Sequence, residues 1–160
     1  MKVYIASSWA SAPMVRAMHI AIRALGWTPT STWAEAATSD VDDCETQPDD
    51  VVDAQWQANH KAASTADVVI VRADSGGRET FAEAATAFQH GRSVVWVGKP
   101  TYSALKFRHL VTRVDSDAEA FAALATLGPV TMRSPTALDQ HIAAVREWDG
   151  AARDVAKGGA

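Results

Sequence analysis

Two continuous apolar segments, DVVIVR (67–72) and SVVWVG (93–98), flank a helix-forming segment, ETFAEAATAFQH (79–90). Apolar runs of this length are typical of strands that are buried on both faces, as in a parallel sheet. The segment between them is followed by Gly91, and glycine is a common residue at helix ends. Strand, helix and strand in this order predict a βαβ unit with two parallel strands.

The same alternation continues along most of the 160 residues. The remaining predicted elements are a strand at 2–6, a helix from about Pro13 to Leu25, a strand at 27–33, a helix from about Asp49 to Ala66, a short strand at 110–114, a helix from Ser116 to Leu127 and a C-terminal helix at about 135–157. This order predicts a single domain, residues 1–160, with a flavodoxin-like α/β fold. The expected architecture is a doubly wound, parallel five-stranded sheet in three α/β/α layers, with strand order 2-1-3-4-5.

The formal net charge of −4 is unevenly distributed. Residues 34–53 hold eight acids and no base, so the rest of the chain carries 11 acids and 15 bases. A mildly acidic total argues against a protein that coats a nucleic acid polymer. The acidic segment could hold a divalent ion through Asp40 and Asp42. It lacks the Gly and terminal Glu of a calcium loop, however, which favours a solvated loop.

Cysteine, histidine and hydropathy patterns exclude several further classes of protein. The single cysteine, Cys44, excludes a disulfide framework and a cysteine-based zinc site. The five histidines show no metal-ligand spacing, so we expect neither a metal nor a cofactor. No run approaches the roughly 20 apolar residues that a bilayer span requires, and the N-terminus is not typical of a signal peptide. We expect a cytoplasmic protein with no membrane partner.

In the predicted strand order, ligands bind beyond the carboxyl ends of strands 1 and 3. The loop after strand 1 contains Ser7, Ser8 and Trp9 and leads to a helix that begins near Pro13. Hydroxyls and a helix N-terminus suit a phosphate or a sugar hydroxyl, and Trp9 could stack on a base. Alternatively, the serines cap the helix and Trp9 covers the edge of the core.

The loop after strand 3 contains Asp74, Gly76, Gly77 and Arg78. The two glycines allow close approach of the backbone to a ligand. Arg78 is a suitable partner for a phosphate or carboxylate. This loop is therefore the second candidate for substrate binding.

Glu83 lies in the helix that follows this loop. Helix side chains tilt towards the N-terminus, so Glu83 is expected to point towards the strand ends, where a carboxylate can act as nucleophile or base. The spacing of Thr80 and Glu83 also fits a capping box, in which Glu83 would only stabilise the helix end. Spacing alone leaves both interpretations open.

Asn59 falls on a helical stripe with Val52, Trp56 and Ala63, a face expected to be buried. A buried amide needs hydrogen-bond partners, so Asn59 either bonds within the core or lines a pocket. The adjacent His60 is expected at the boundary of the core rather than as a base.

Over residues 2–98 the sequence resembles the nucleoside 2-deoxyribosyltransferase-like superfamily. This superfamily includes relatives that hydrolyse the N-glycosidic bond of deoxynucleoside 5′-phosphates. The resemblance rests on KVYIASSW at the first strand and on GRETFAEAATAFQHGRSV, residues 77–94. In the family a Gly-rich turn precedes a Glu on a helix of small residues, and Glu83 falls in register with that Glu. Among the departures from the family pattern, Asn59 and Gly77 each stand where the family has an aspartate.

The resemblance implies cleavage of the N-glycosidic bond of a nucleoside or nucleotide, through a glycosyl-enzyme intermediate on Glu83. The sugar then passes to another base or to water. It implies that Asp74 and Asn59 assist catalysis, while Ser7, Ser8, Trp9, Gly76, Gly77 and Arg78 contact a small-molecule substrate. It also implies a homo-oligomer. A non-catalytic nucleotide-binding, sensing or interaction module on the same fold is the alternative.

Overall fold

The computed structural model describes residues 1–37, 47–72, 78–98 and 111–127. Five parallel strands form one sheet in the order β2-β1-β3-β4-β5, as predicted from the sequence. The strands are β1 (Lys2–Ala6), β2 (Thr28–Pro29), β3 (Val68–Arg72), β4 (Ser93–Val97) and β5 (Val111–Val114). The predicted C-terminal helix at about 135–157 lies outside the described residues.

Five α-helices connect or follow these strands in the described residues. They are α1 (Ala12–Ala24), α2 (Trp33–Ala36), α3 (Asp49–Thr65), α4 (Arg78–Gln89) and α5 (Asp117–Leu127), with a short 3₁₀ turn at Trp9–Ser11 before α1. Right-handed crossovers place α3 and α4 on one face of the sheet and α1 on the other. The helices in the described part of the chain are too short or too polar to span a membrane.

The centre of the sheet forms the core. Val3, Tyr4, Ile5 and Ala6 of β1 are fully buried, because helices cover both faces of this strand. In the parallel register Tyr4 lies beside Val69 of β3. The strand reversal lies between β1 and β3, and such folds bind ligands just beyond the carboxyl ends of the strands at this point.

The second strand is much shorter than the predicted segment 27–33. Pairing with β1 is limited to Thr28 and Pro29, and Trp33 already begins α2. The Oγ of Ser31 accepts the backbone N–H of Ile5 at 2.7 Å, so a side chain takes a position that a longer strand would fill. Proline restricts a strand to a sheet edge, where early termination is tolerated.

The expected burial along α3 is also wrong in part. Trp56 is 52% exposed and Asn59 is half-buried, whereas Ala63 is fully buried. A helix of 17 residues spans about 25 Å, but a strand of five residues spans only about 17 Å. The sheet is too short to cover the whole helix, and only its C-terminal part reaches the core.

Candidate active site

A buried hydrogen bond joins the candidate nucleophile to the central strand of the sheet. The hydroxyl of Tyr4 on β1 donates to Oε1 of Glu83 on α4 at 2.6 Å. Tyr4 is fully buried and Glu83 is only 5% exposed. The distance is typical of an O–H group bonded to a carboxylate.

This contact tests one of the two interpretations of Glu83, the helix cap. A capping box would turn its carboxylate back onto the start of its own helix. In the structure α4 begins at Arg78, so Thr80 lies inside the helix rather than at its N-cap. Thr80 is also buried, and the Glu83 carboxylate bonds to a strand on the far side of β3. The capping interpretation is therefore wrong.

Burial dominates the electrostatics of Glu83. Loss of solvent raises the pKa of its carboxyl from the usual 4.5 to about 7. The hydrogen bond from Tyr4 opposes this rise by stabilising the anion, and the negative charge of Glu79 adds to it. Carboxyl groups with pKa values near neutrality are concentrated at functional sites, where they can change protonation state during a reaction.

The tyrosine remains a donor at neutral pH. Burial, followed by the charge and the hydrogen bond of Glu83, raises the pKa of Tyr4 well above its usual value of 10. Its hydroxyl therefore holds Oε1 of Glu83 in place.

The loop after β1 is held by aromatic packing. Trp9 is half-buried and stacks on Trp33 with ring centroids 6.1 Å apart. Trp33 is itself buried, and its indole N–H donates to the carbonyl of Ile5 at 3.1 Å. The structure thus supports the expectation that Trp9 covers an edge of the core, while its partial exposure leaves a surface for stacking.

Neither Ser8 nor Ser11 makes a side-chain cap at the helix starts of this loop. The hydroxyl of Ser8 lies 3.1 Å from that of Ser11. Ser7 is half-buried. The capping alternative is therefore wrong for Ser8.

Asn59 bonds within its own helix, since its Oδ1 accepts a hydrogen bond of 2.8 Å from Gln55. The next residue, His60, places Nδ1 2.7 Å from the hydroxyl of Thr86 on α4. Partial burial lowers the pKa of His60, as expected for a histidine at the boundary of the core. This contact links α3 to α4 at Thr86, about one helical turn after Glu83.

The remaining predicted site residues cannot be placed in the same detail. Asp74, Gly76 and Gly77 lie outside the described residues, and only the backbone of Arg78 is described, at the start of α4. No group of three possible metal ligands occurs among the described histidines, cysteines, aspartates and glutamates.

Sequence reasoning missed two residues that shape the site, Tyr4 and Trp33. Both were assigned to strands as apolar or β-forming residues. The available signal was chemical, because a buried tyrosine hydroxyl or indole N–H needs a hydrogen-bond partner. The sequence pattern gave no indication of which partner each would find.

Comparisons with known proteins support the fold. The chain matches no protein-family model and no curated protein at a significant level. It is similar in structure to a 2-deoxyribosyltransferase from Bacillus psychrosaccharolyticus, with a TM-score of 0.56 and 18% identity over 78% of this chain and 96% of that one. It is also similar to the CMP N-glycosidase BcmB from Clostridium botulinum, with a TM-score of 0.49 and 13% identity over 79% of this chain and 99% of that one.

Proposed function

We propose that this chain, which has the fold of the nucleoside 2-deoxyribosyltransferase-like superfamily, cleaves the N-glycosidic bond of a nucleoside or nucleotide. Glu83 is the nucleophile in this proposal. The observation that carries it is the Glu83 carboxyl itself, buried beside the strand reversal and held by the hydroxyl of Tyr4. Likeness of fold to a 2-deoxyribosyltransferase supports this class of chemistry.

The proposed reaction has two steps. A carboxylate oxygen of Glu83 attacks the anomeric carbon, the C–N bond breaks, and its electron pair leaves with the base. This produces a glycosyl ester on Glu83, as in retaining glycosidases. Water or a second base then attacks the same carbon, and the Glu83 carboxylate is released.

Tyr4 contributes orientation and charge stabilisation. Its hydrogen bond fixes one oxygen of Glu83, so the other is aimed at a bound sugar. The same bond favours the ionised form of Glu83, which is the form that attacks. When the ester forms, the Glu83 carboxyl loses its charge, which offsets the cost of its burial.

The remaining roles follow from chemical type and position. Ser7, Ser8 and Arg78 contact sugar hydroxyls or a 5′-phosphate, and Trp9 stacks on the base through its exposed part. The backbone of Gly76 and Gly77 approaches the substrate closely. Asp74 and Asn59 assist the leaving base, and the amide of Asn59 orients it rather than donating an acidic proton.

A non-catalytic nucleotide-binding module is the second candidate. The raised pKa of Glu83 favours it, because burial favours the neutral carboxyl, which is a poorer nucleophile than the anion. Replacement of Glu83 distinguishes the two functions. A binder keeps its affinity and has no turnover to lose, whereas an enzyme loses turnover.

The experiment measures free base by chromatography after incubation with a panel of nucleosides and nucleotides, with and without an acceptor base. We expect the unaltered chain to release base and Glu83→Gln to release none while retaining substrate binding. Asp53→Asn, which changes an exposed carboxylate on α3, is the matched control and should keep full activity. Absence of base release by the unaltered chain from every substrate, or full activity of Glu83→Gln, would refute the proposal.

A further inference from the structure

A second carboxylate, Glu79, lies one helical turn before Glu83 on α4. Side chains four residues apart occupy the same face of a helix, with Cβ atoms about 5–6 Å apart. The carbonyl end of β3 leads to the N-terminus of α4, so Glu79 lies nearer than Glu83 to the edge of the sheet where ligands bind. A substrate that reaches Glu83 from this edge therefore passes Glu79.

The two carboxylates have opposite environments. Glu83 is buried and bonded to Tyr4, whereas Glu79 is exposed. Glu79 makes neither a hydrogen bond nor an ion pair with any other residue that the structure describes. Its charge nevertheless reaches the buried group, since it contributes to the raised pKa of Glu83. Tyr4 on β1 and Glu79 on α4 are the two titratable residues that act on Glu83 in the described residues.

From this juxtaposition we infer that Glu79 is the general base of the second step, an inference that rests on the proposed function. Retaining glycosidases place a second carboxyl about 5–5.5 Å from the nucleophile. The Cβ atoms of residues four apart on a helix are about 5–6 Å apart, so two carboxyl groups on adjacent turns can reach this separation. The exposed member of the pair suits the base because it can return its proton directly to solvent.

The step balances without any further reactant. An ionised oxygen of Glu79 takes one proton from the attacking water, or from the N–H of an acceptor base, as the O–C or N–C bond to the anomeric carbon forms. The ester bond between Glu83 and that carbon breaks, and its electron pair returns to the Glu83 carboxylate. Glu79 then gives its proton to solvent or to the base that has left.

In the Glu79→Gln variant, formation of the glycosyl ester and its breakdown can be measured separately. We expect this variant to release base in a first burst equal to the amount of enzyme and then to turn over about 100-fold or more slowly, which is the usual loss for a missing general base. The glycosyl ester on Glu83 should accumulate and be visible by mass spectrometry of the intact protein. Asp53→Asn, an exposed carboxylate on α3, should show neither effect.

The outcomes distinguish this inference from the proposed function. If Glu79→Gln turns over at the normal rate, or loses the burst as well, Glu79 is not the base of the second step, while the role of Glu83 stands. If the unaltered chain releases no base, the proposed function fails and this inference fails with it. Thermal unfolding of Glu79→Gln at the temperature of the unaltered chain shows that a slow rate is not a folding defect.

Discussion

The hydroxyl of Tyr4 and the carboxyl of Glu83 lie 2.6 Å apart although 79 positions separate them in the chain. The parallel pairing of β1 with β3 and the crossover from β3 into α4 bring them together. The contact places a proton donor on a carboxyl that is otherwise strongly desolvated. The protonation state of Glu83 is therefore set by burial and the charge of Glu79, which favour the neutral form, and by the hydrogen bond from Tyr4, which favours the anion.

Replacing Tyr4 by Phe should move the pH dependence of the reaction upward. The hydroxyl lowers the pKa of Glu83 from the value that burial alone would impose, so its loss raises that pKa above about 7. Since the nucleophile must be ionised, the acidic limb of the kcat/KM profile should shift to higher pH. Profiles of the two proteins measured from pH 5 to 9 provide the test, and an unchanged or lower limb contradicts it.

Replacing Glu83 by Gln should stabilise the fold at alkaline pH. The pKa of Glu83 rises from 4.5 in the unfolded chain to about 7 in the folded one, so the folded state binds more protons between these values. The unaltered chain should therefore lose stability as pH rises through this window, by about 3 kcal/mol in total. The variant avoids this loss because its amide does not ionise.

Urea unfolding at several pH values measures this difference. We expect Glu83→Gln and the unaltered chain to be similar in stability at pH 4.5 and the variant to be more stable at pH 8. If the variant's advantage in stability were largest at low pH, the prediction would be wrong. Glu83 would then ionise more easily in the folded than in the unfolded chain. Substitutions that raise stability often do so at the expense of function, because functional sites hold groups that destabilise the fold.

Trp33 should contribute to stability through its indole N–H. Trp33→Phe removes the hydrogen bond to the carbonyl of Ile5 and part of the stack with Trp9, which should cost about 1–2 kcal/mol. Trp56→Phe is the matched control because Trp56 is 52% exposed, and surface substitutions usually change stability by less than about 0.5 kcal/mol. Equal losses in the two variants, measured by denaturant unfolding, would rule out a special role for Trp33.

Two side-chain hydrogen bonds cap the start of α5. Ser116 Oγ accepts the backbone N–H of Glu119 at 3.2 Å, and the Glu119 carboxylate accepts the N–H of Asp115 at 2.8 Å. Ser116→Ala should therefore lower the free energy of unfolding by about 1 kcal/mol. Ser64→Ala, inside α3, should change it little or raise it, because alanine favours helix interiors.

The sheet order and most helix bounds could be predicted because they depend on local patterns. Continuous apolar runs predicted β3 and β4, and helical spacing of apolar residues predicted α1. Gly26 and Gly91 adopt the positive φ values that are common at helix ends. Once strands and helices alternate, right-handed crossovers leave few possible arrangements. Local patterns failed where the surroundings decided the outcome, as at Ser31, whose hydroxyl replaces part of β2, and at Trp56 on the uncovered part of α3.

The sequence by itself singled out Glu83 through a motif of neighbouring residues, and it determined the α/β order that carries this residue towards the strand ends. It did not identify Tyr4 as the partner of Glu83, the burial that raises the Glu83 pKa, or the fact that Glu83 does not cap its own helix. Those depend on desolvation and on contacts between elements far apart in the chain. Only the packed tertiary structure brings such elements together and removes the water between them.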